Sequence, residues 1–210
     1  GPAPTSQTWP VLSIISIIVS RDARSETPGP CGGGGGILRR MENGVPAGIR
    51  PGAVGEFFGG HVPGGAGPLS FSLISGGRSN LTYRVESPGG VWVLRRPPLG
   101  HVLPTAHDMA REFRVLSGLA RVGFPAPQPI ALCEDPAVNG CAFYVMDYRD
   151  GVVIAEDLPE GYAAAPEERR ALSVSLIRTL AELHAIDYGA VGLGDVGRPG
   201  GYLERQVRRW

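Results

Sequence analysis

Apolar and polar positions alternate at 81–86, between apolar-rich runs at 69–75 and 91–96, and this is the clearest pattern in the chain. The runs 69–75, 81–86 and 91–96 are separated by Gly-Gly-Arg-Ser-Asn at 76–80 and Ser-Pro-Gly-Gly at 87–90. Short runs bounded by such turn residues predict a three-stranded antiparallel meander. Pro97 and Pro98 end it, because proline donates nothing to a ladder and keeps its predecessor extended. The period then changes. Met109, Phe113, Leu116 and Leu119 or Ala120 share one face of a helix predicted over 105–121, and Gly123 stops it. Pro125, Pro127 and Pro129 make an extended connector to a strand at 130–134; a loop at 135–140 leads to a second strand at 142–147, AFYVMD. Upstream, 51–58 reads as a short helix stopped by Gly59-Gly60. Strands, a helix and further strands predict an α+β lobe.

Beyond Gly151 the helical period takes over. Pro166 with Glu167 and Glu168 suits a first turn, where proline's fixed φ and acidic charge are both favourable. Leu172, Leu176, Leu180 and Leu183 follow at spacings of four, four and three, predicting a long amphipathic helix to about Ile186. A loop at 189–201 precedes YLERQVRRW at 202–210, the start of another helix. The predicted organisation is a tail over 1–50, an α+β lobe over 51–150, and a helical lobe over 151–210 that is incomplete.

The tail has a different composition. Its apolar run VLSIISIIV at 11–19 has nine residues, well short of the roughly 20 that span a bilayer, and no basic segment precedes it. TPGPCGGGGG at 27–36 cannot pack a core. Residues 1–50 are therefore expected to be disordered, or to reflect a mis-set start upstream of Met41, with order beginning near Arg50.

Charge and cysteine content narrow the class. Twenty basic and twenty acidic residues cancel, so no global field points to a nucleic acid or a membrane as partner. Cys31, Cys133 and Cys141 are odd in number and lack metal-ligand spacing, which fits reduced thiols, no metal site and a cytoplasmic setting.

The candidate chemistry lies in ISGGRSNLTYRVESPGGVWVLRRPP at 74–98. Glycine lets backbone N–H groups approach a ligand closely, so Gly76, Gly77, Ser79 and Asn80 are candidates to cover phosphates. The same residues also suit a ligand-free hairpin turn. Arg95 ends the third strand, and Glu112 on the following helix is a matching acid. Taken alone, that pair could be an ordinary surface ion pair of about 0–1 kcal/mol. Arg96 should point to the opposite face. His184 lies on or beside the apolar helix face and reads as packed, while His101 and His107 have no partner at metal or triad spacing.

Five segments together carry a family resemblance: SGGRSNLTYRV, WVLRRPPLGHVLPTAHDMAREFRVL, GFPAPQPIALCEDPAVNGCAFYVMDYRDG, LAELHAIDY and GYLERQVRRW. They resemble the aminoglycoside-phosphotransferase family of kinase-like enzymes, in the branch found alone in actinobacteria and fused to acyl-CoA dehydrogenases in animals. The resemblance implies a protein-kinase-like N-terminal lobe followed by the start of a helical C-terminal lobe. It implies ATP with Mg in the cleft, and phosphorylation of a small hydroxylated molecule, here a hydroxyacyl thioester such as a hydroxyacyl-CoA. Arg95 then takes the place of the strand-3 lysine that holds phosphates, with Glu112 as its partner. Met146 would lie near the base, and the backbone of Asp147 and Tyr148 would read an adenine edge at the hinge.

Phosphoryl transfer also needs an aspartate to orient the acceptor hydroxyl, and Asn and Asp ligands for magnesium. No H-G-D, H-R-D or D-F-G-like sequence occurs in the 210 residues, so no catalytic or metal-binding residue is assigned. The chain is expected to be a fragment that does not catalyse transfer by itself. The alternatives are a non-catalytic nucleotide-binding or scaffolding module, and an α+β protein that binds no nucleotide. The Leu172/Leu176/Leu180 face should stay partly exposed, inviting self-association and poor solubility.

Overall fold

The structure is a computed structural model that describes residues 41–42, 45–75, 80–100, 107–151, 154, 158, 160–197 and 201–208. Five strands, β3 (Ser70–Ser75), β4 (Leu81–Ser87), β5 (Gly90–Arg96), β6 (Pro129–Cys133) and β7 (Phe143–Asp147), form one antiparallel sheet in the order β3-β4-β5-β7-β6. The three-strand meander is therefore present, and the later pair extends it on the β5 side. β5 is the central strand, paired from Leu81↔Arg96 to Ser87↔Gly90 on one side and from Trp92↔Asp147 to Arg95↔Tyr144 on the other. Its residues 92–96 are all buried because both sheet faces are covered there, which blurs the alternation seen in β4.

One face packs on helix α1 (Pro51–His61), which contributes the fully buried Val54 and Phe58. Leu81, Tyr83, Val85, Leu94, Phe143 and Val145 complete that core. The sequence places the end of α1 at Gly59-Gly60, but the helix runs through both glycines to His61. Each glycine costs a helix about 1 kcal/mol. Packing offsets that cost: the His61 ring stacks on Phe57 at 4.4 Å, and Phe58 meets Trp92 edge-on at 5.9 Å. Burial of a side chain like Phe58 is worth about 1.5–3 kcal/mol.

The other face packs on helix α2 (Met109–Arg121) through Met109, Leu116 and Leu119, which meet Val93, Tyr144 and Met146. The sequence starts this helix at residue 105, whereas its first turn begins after Asp108, whose carboxylate accepts from Arg111 N at 2.9 Å. An aspartate N-cap fixes a helix start by satisfying an orphan N–H. The 135–140 connection, expected as a loop, contains the one-turn helix α3 (Pro136–Asn139), capped by Asp135 and closed by Gly140 at φ +77°.

Part of the segment read as tail is built onto the sheet. Residues Met41–Glu42 (β1) and Val45–Pro46 (β2) form a small ladder. Ala47 O accepts from Tyr83 Oη at 2.7 Å, and Arg50 N donates to Asn139 Oδ1 at 2.9 Å.

Helix α4 (Pro166–Ala185) matches the period read from sequence. None of its residues is buried: Val174, Leu176, Ile177 and Leu180 are exposed, with Ile177 at 67%. Leu183 and Ile186 reach the α2 core. The following loop turns back onto α2. Arg114 Nη2 donates to Gly192 O at 3.3 Å and to Asp195 Oδ1 at 2.6 Å, and Arg121 Nη1 donates to Val191 O at 3.1 Å. Buried Gly118 makes room for Leu193, which would lie 3.0 Å from a Cβ there. Helix α5 (Tyr202–Val207) ends the described chain. Among the described residues no helix is long and apolar enough to cross a membrane.

Candidate functional site

The polar residues that converge lie on the α2 face of the sheet. The register sets Arg95 between Thr82 on β4 and Tyr144 on β7, so all three side chains project toward α2. Arg95 Nε donates to Glu112 Oε2 at 2.9 Å and Nη1 donates to Thr82 Oγ1 at 3.0 Å. The Arg95 side chain is 7% exposed and that of Glu112 27%. Glu112 also accepts from Asn80 Nδ2 at 2.7 Å and from the Tyr144 hydroxyl at 3.1 Å. Burial first, and then the charge of Glu112, pushes the Tyr144 phenol far above its ordinary value. Tyr144 therefore stays protonated and donates. Asn80 Oδ1 meets His107 Nδ1 at 2.5 Å.

One donor in this network has no acceptor among the described residues: Arg95 Nη2 is buried and finds no hydrogen-bond partner there. A buried donor left unmatched costs about 1–3 kcal/mol, and more when it is charged. Glu112 is meanwhile held by three donors, Arg95, Asn80 and Tyr144. The carboxylate anchors one edge of the guanidinium, and Nη2 is left for an acceptor from outside. An anionic oxygen matches that need best, since charge-assisted bonds are roughly twice as strong as neutral ones.

Further along the same face, Val93 lies beside Arg84 and Met146, and Val93 and Met146 are buried. The Arg84 guanidinium stands 5.1 Å from the Tyr148 ring centroid and is paired with Glu86. Among the described residues no group of three or more His, Cys, Asp or Glu could hold a metal ion.

The structure brings Asn80, Arg95 and Glu112 into one hydrogen-bonded cluster, while Gly76, Gly77 and Ser79 lie outside the described residues. The Asn80 side chain is buried and bonded to Glu112 and His107. Met146 is a core residue against α2. The Asp147 N–H donates to Gln128 O at 3.0 Å, and its carboxylate accepts from Gln128 N and pairs with Arg149. Tyr148 is half-buried beside Arg84. His184 is exposed rather than packed, because α4 turns that side to solvent.

Three members escaped sequence reasoning. Thr82 and Tyr144 alternate with core residues on their strands, but only the register shows that both flank Arg95. His107 meets a partner 27 positions away, which no local spacing signals. Arg96 does point to the opposite face, where it donates to the carbonyls of Gly48, Pro97 and Asn139.

With this geometry in place, comparison with known proteins is informative. A model of the phosphotransferase enzyme family matches residues 70–210. Acyl-CoA dehydrogenase family member 11 of Gallus gallus is 42% identical over 146 residues, 69% of this chain and 18% of that protein. Acyl-CoA dehydrogenase family member 10 of Mus musculus is 35% identical over 144 residues, 69% of this chain and 13% of that protein. The crystal structure of a candidate aminoglycoside phosphotransferase from Ralstonia eutropha aligns with a TM-score of 0.61 at 39% identity, covering 75% of this chain and 45% of that one. The chain thus spans less than a fifth of these curated relatives and under half of the solved neighbour.

Proposed function

The chain belongs to the phosphotransferase enzyme family, its five-stranded sheet and helix forming a kinase-like N-terminal lobe, and from that premise we propose that it grips the phosphates of ATP through Arg95. The unpartnered Arg95 Nη2 carries this reading. Glu112 and Thr82 fix the guanidinium from two sides, so its free edge meets a phosphate oxygen without first having to order a flexible side chain. Arginine suits the task because its planar fork matches phosphate and stays charged at any working pH.

The proposed reaction class is transfer of the γ-phosphoryl group to the hydroxyl of a small metabolite. Relatives named for acyl-CoA dehydrogenases favour a hydroxyacyl thioester as that acceptor. Bound magnesium would neutralise charge developing on the phosphates. Its ligands are not assigned to residues of this chain. The part assigned here is binding and orientation: Arg95 fixes the phosphates, Glu112 fixes Arg95, and Asn80 and Tyr144 fix Glu112.

Calorimetric titration of ATP·Mg into the chain and into an Arg95→Ala variant tests this. The wild-type chain should bind, and the variant should bind about ten- to a hundredfold more weakly, the range expected for one lost bond to a charged group. Equal binding by the two, or no binding by the wild type, would overturn the assignment.

A further inference from the structure

We propose that His107 is a positioning residue of this site: it holds the Asn80 amide in the one orientation that lets Asn80 steer the Glu112 carboxylate onto Arg95. The functional part of this inference rests on the nucleotide reading above; the hydrogen-bond relay itself does not.

The polarity of the network is forced. An ionised Glu112 only accepts, so the Asn80 atom 2.7 Å from Oε1 must be the amide nitrogen. The Asn80 carbonyl oxygen is therefore the atom that faces His107 at 2.5 Å. An oxygen facing His107 Nδ1 requires a proton on Nδ1. A neutral ring meets that requirement only as the Nδ1–H tautomer, and an imidazolium meets it as well. In both forms Nε2 is left outside the relay.

Position makes the bond consequential. His107 precedes the N-cap Asp108 of α2, and Asn80 is the residue just before β4. Their bond ties the start of β4 to the start of the helix that carries Glu112, and Asn80 is only 4% exposed. Without His107 the Asn80 carbonyl oxygen loses its donor, and the amide is then held at its Glu112 end alone, so the bond that positions the carboxylate loses its backing. Asp108 is the nearest acid in sequence, but its carboxylate is engaged by Arg111 N. Glu112 and Arg95 reach His107 through Asn80.

The test uses the 15N-labelled chain with His107→Ala and His107→Asn variants. Asparagine can place an amide donor near the position of Nδ1, so it should keep the relay while alanine removes it. Long-range 1H–15N spectra of the wild type should show a protonated His107 Nδ1. The Arg95 Nε–H resonance, slow to exchange in the wild type, should exchange several-fold faster in His107→Ala and be restored in His107→Asn. ATP·Mg affinity should fall about three- to tenfold in the alanine variant, the range of one neutral hydrogen bond, and recover in the asparagine variant. A proton on Nε2 with Nδ1 bare, or an Arg95 Nε–H signal unmoved by His107→Ala, overturns the relay. Unchanged ATP affinity in an alanine variant whose Arg95 signal has moved overturns its role in binding. A wild type that binds no ATP while its Arg95 signal responds to the variants defeats the nucleotide reading and leaves the relay standing.

Discussion

Arg95 and Arg96 are neighbours in the chain, buried to the same degree, and they serve the two faces of one sheet in opposite ways. Arg96, toward α1, donates to three backbone carbonyls, two of them from Gly48 and Asn139, far away in sequence. It pins the segment before α1 and the turn at α3 to the sheet. Arg95, toward α2, is held by side chains and keeps one buried nitrogen unmatched among the described residues. Burial alone therefore does not separate a structural arginine from a functional one. The informative quantity is which of its donors lacks an acceptor.

This contrast can be broken experimentally, and the largest effect should come from Arg96. Replacing it by methionine keeps much of the apolar stem and leaves three carbonyls short of a donor. We expect about 2–4 kcal/mol of destabilisation in urea, with ATP affinity of the folded variant retained. A loss of affinity without a loss of stability would erase the distinction between the faces. A smaller effect is expected at Tyr144→Phe, which removes one of three donors to Glu112. About 1.5–3 kcal/mol of stability should go, the range for a bond to a charged group, because the phenol is buried and stays protonated. If stability falls by several times that amount, the hydroxyl has a partner beyond Glu112. The smallest effect on stability should be at Ile177→Ser on α4. The side chain is exposed, so unfolding should change by no more than about 0.5 kcal/mol. In sedimentation velocity the wild-type chain should associate with rising concentration through the exposed Val174, Leu176, Ile177 and Leu180 face, and the variant should do so less. Unaltered association would point to a different surface.

The same contrast explains what the sequence reveals. β3, β4 and β5 are legible because short apolar runs, the alternation in β4 and the Ser-Pro-Gly-Gly turn are local signals. The α4 leucines are legible for the same reason. Arg95 and Glu112 could be matched from the order of elements and the family resemblance. Helix α1 passes through Gly59-Gly60 because of the tertiary packing of Phe57, Phe58 and His61, which propensity does not encode. The N-cap at Asp108 was available from the residue type, and the predicted start at 105 overlooked it. His107 and Tyr144 became visible only when the register joined strands and helix, since each meets Glu112 or Asn80 across a long separation.

Helix α2 has one more consequence. It packs on the sheet through Leu116 and Leu119, while Arg114, Arg121 and the space above Gly118 bind it to the loop that follows α4. The partner of Arg95 is therefore carried on an element that the sheet and the later loop both hold, so a substitution in that loop, far from Arg95 in sequence, acts on the helix that presents Glu112.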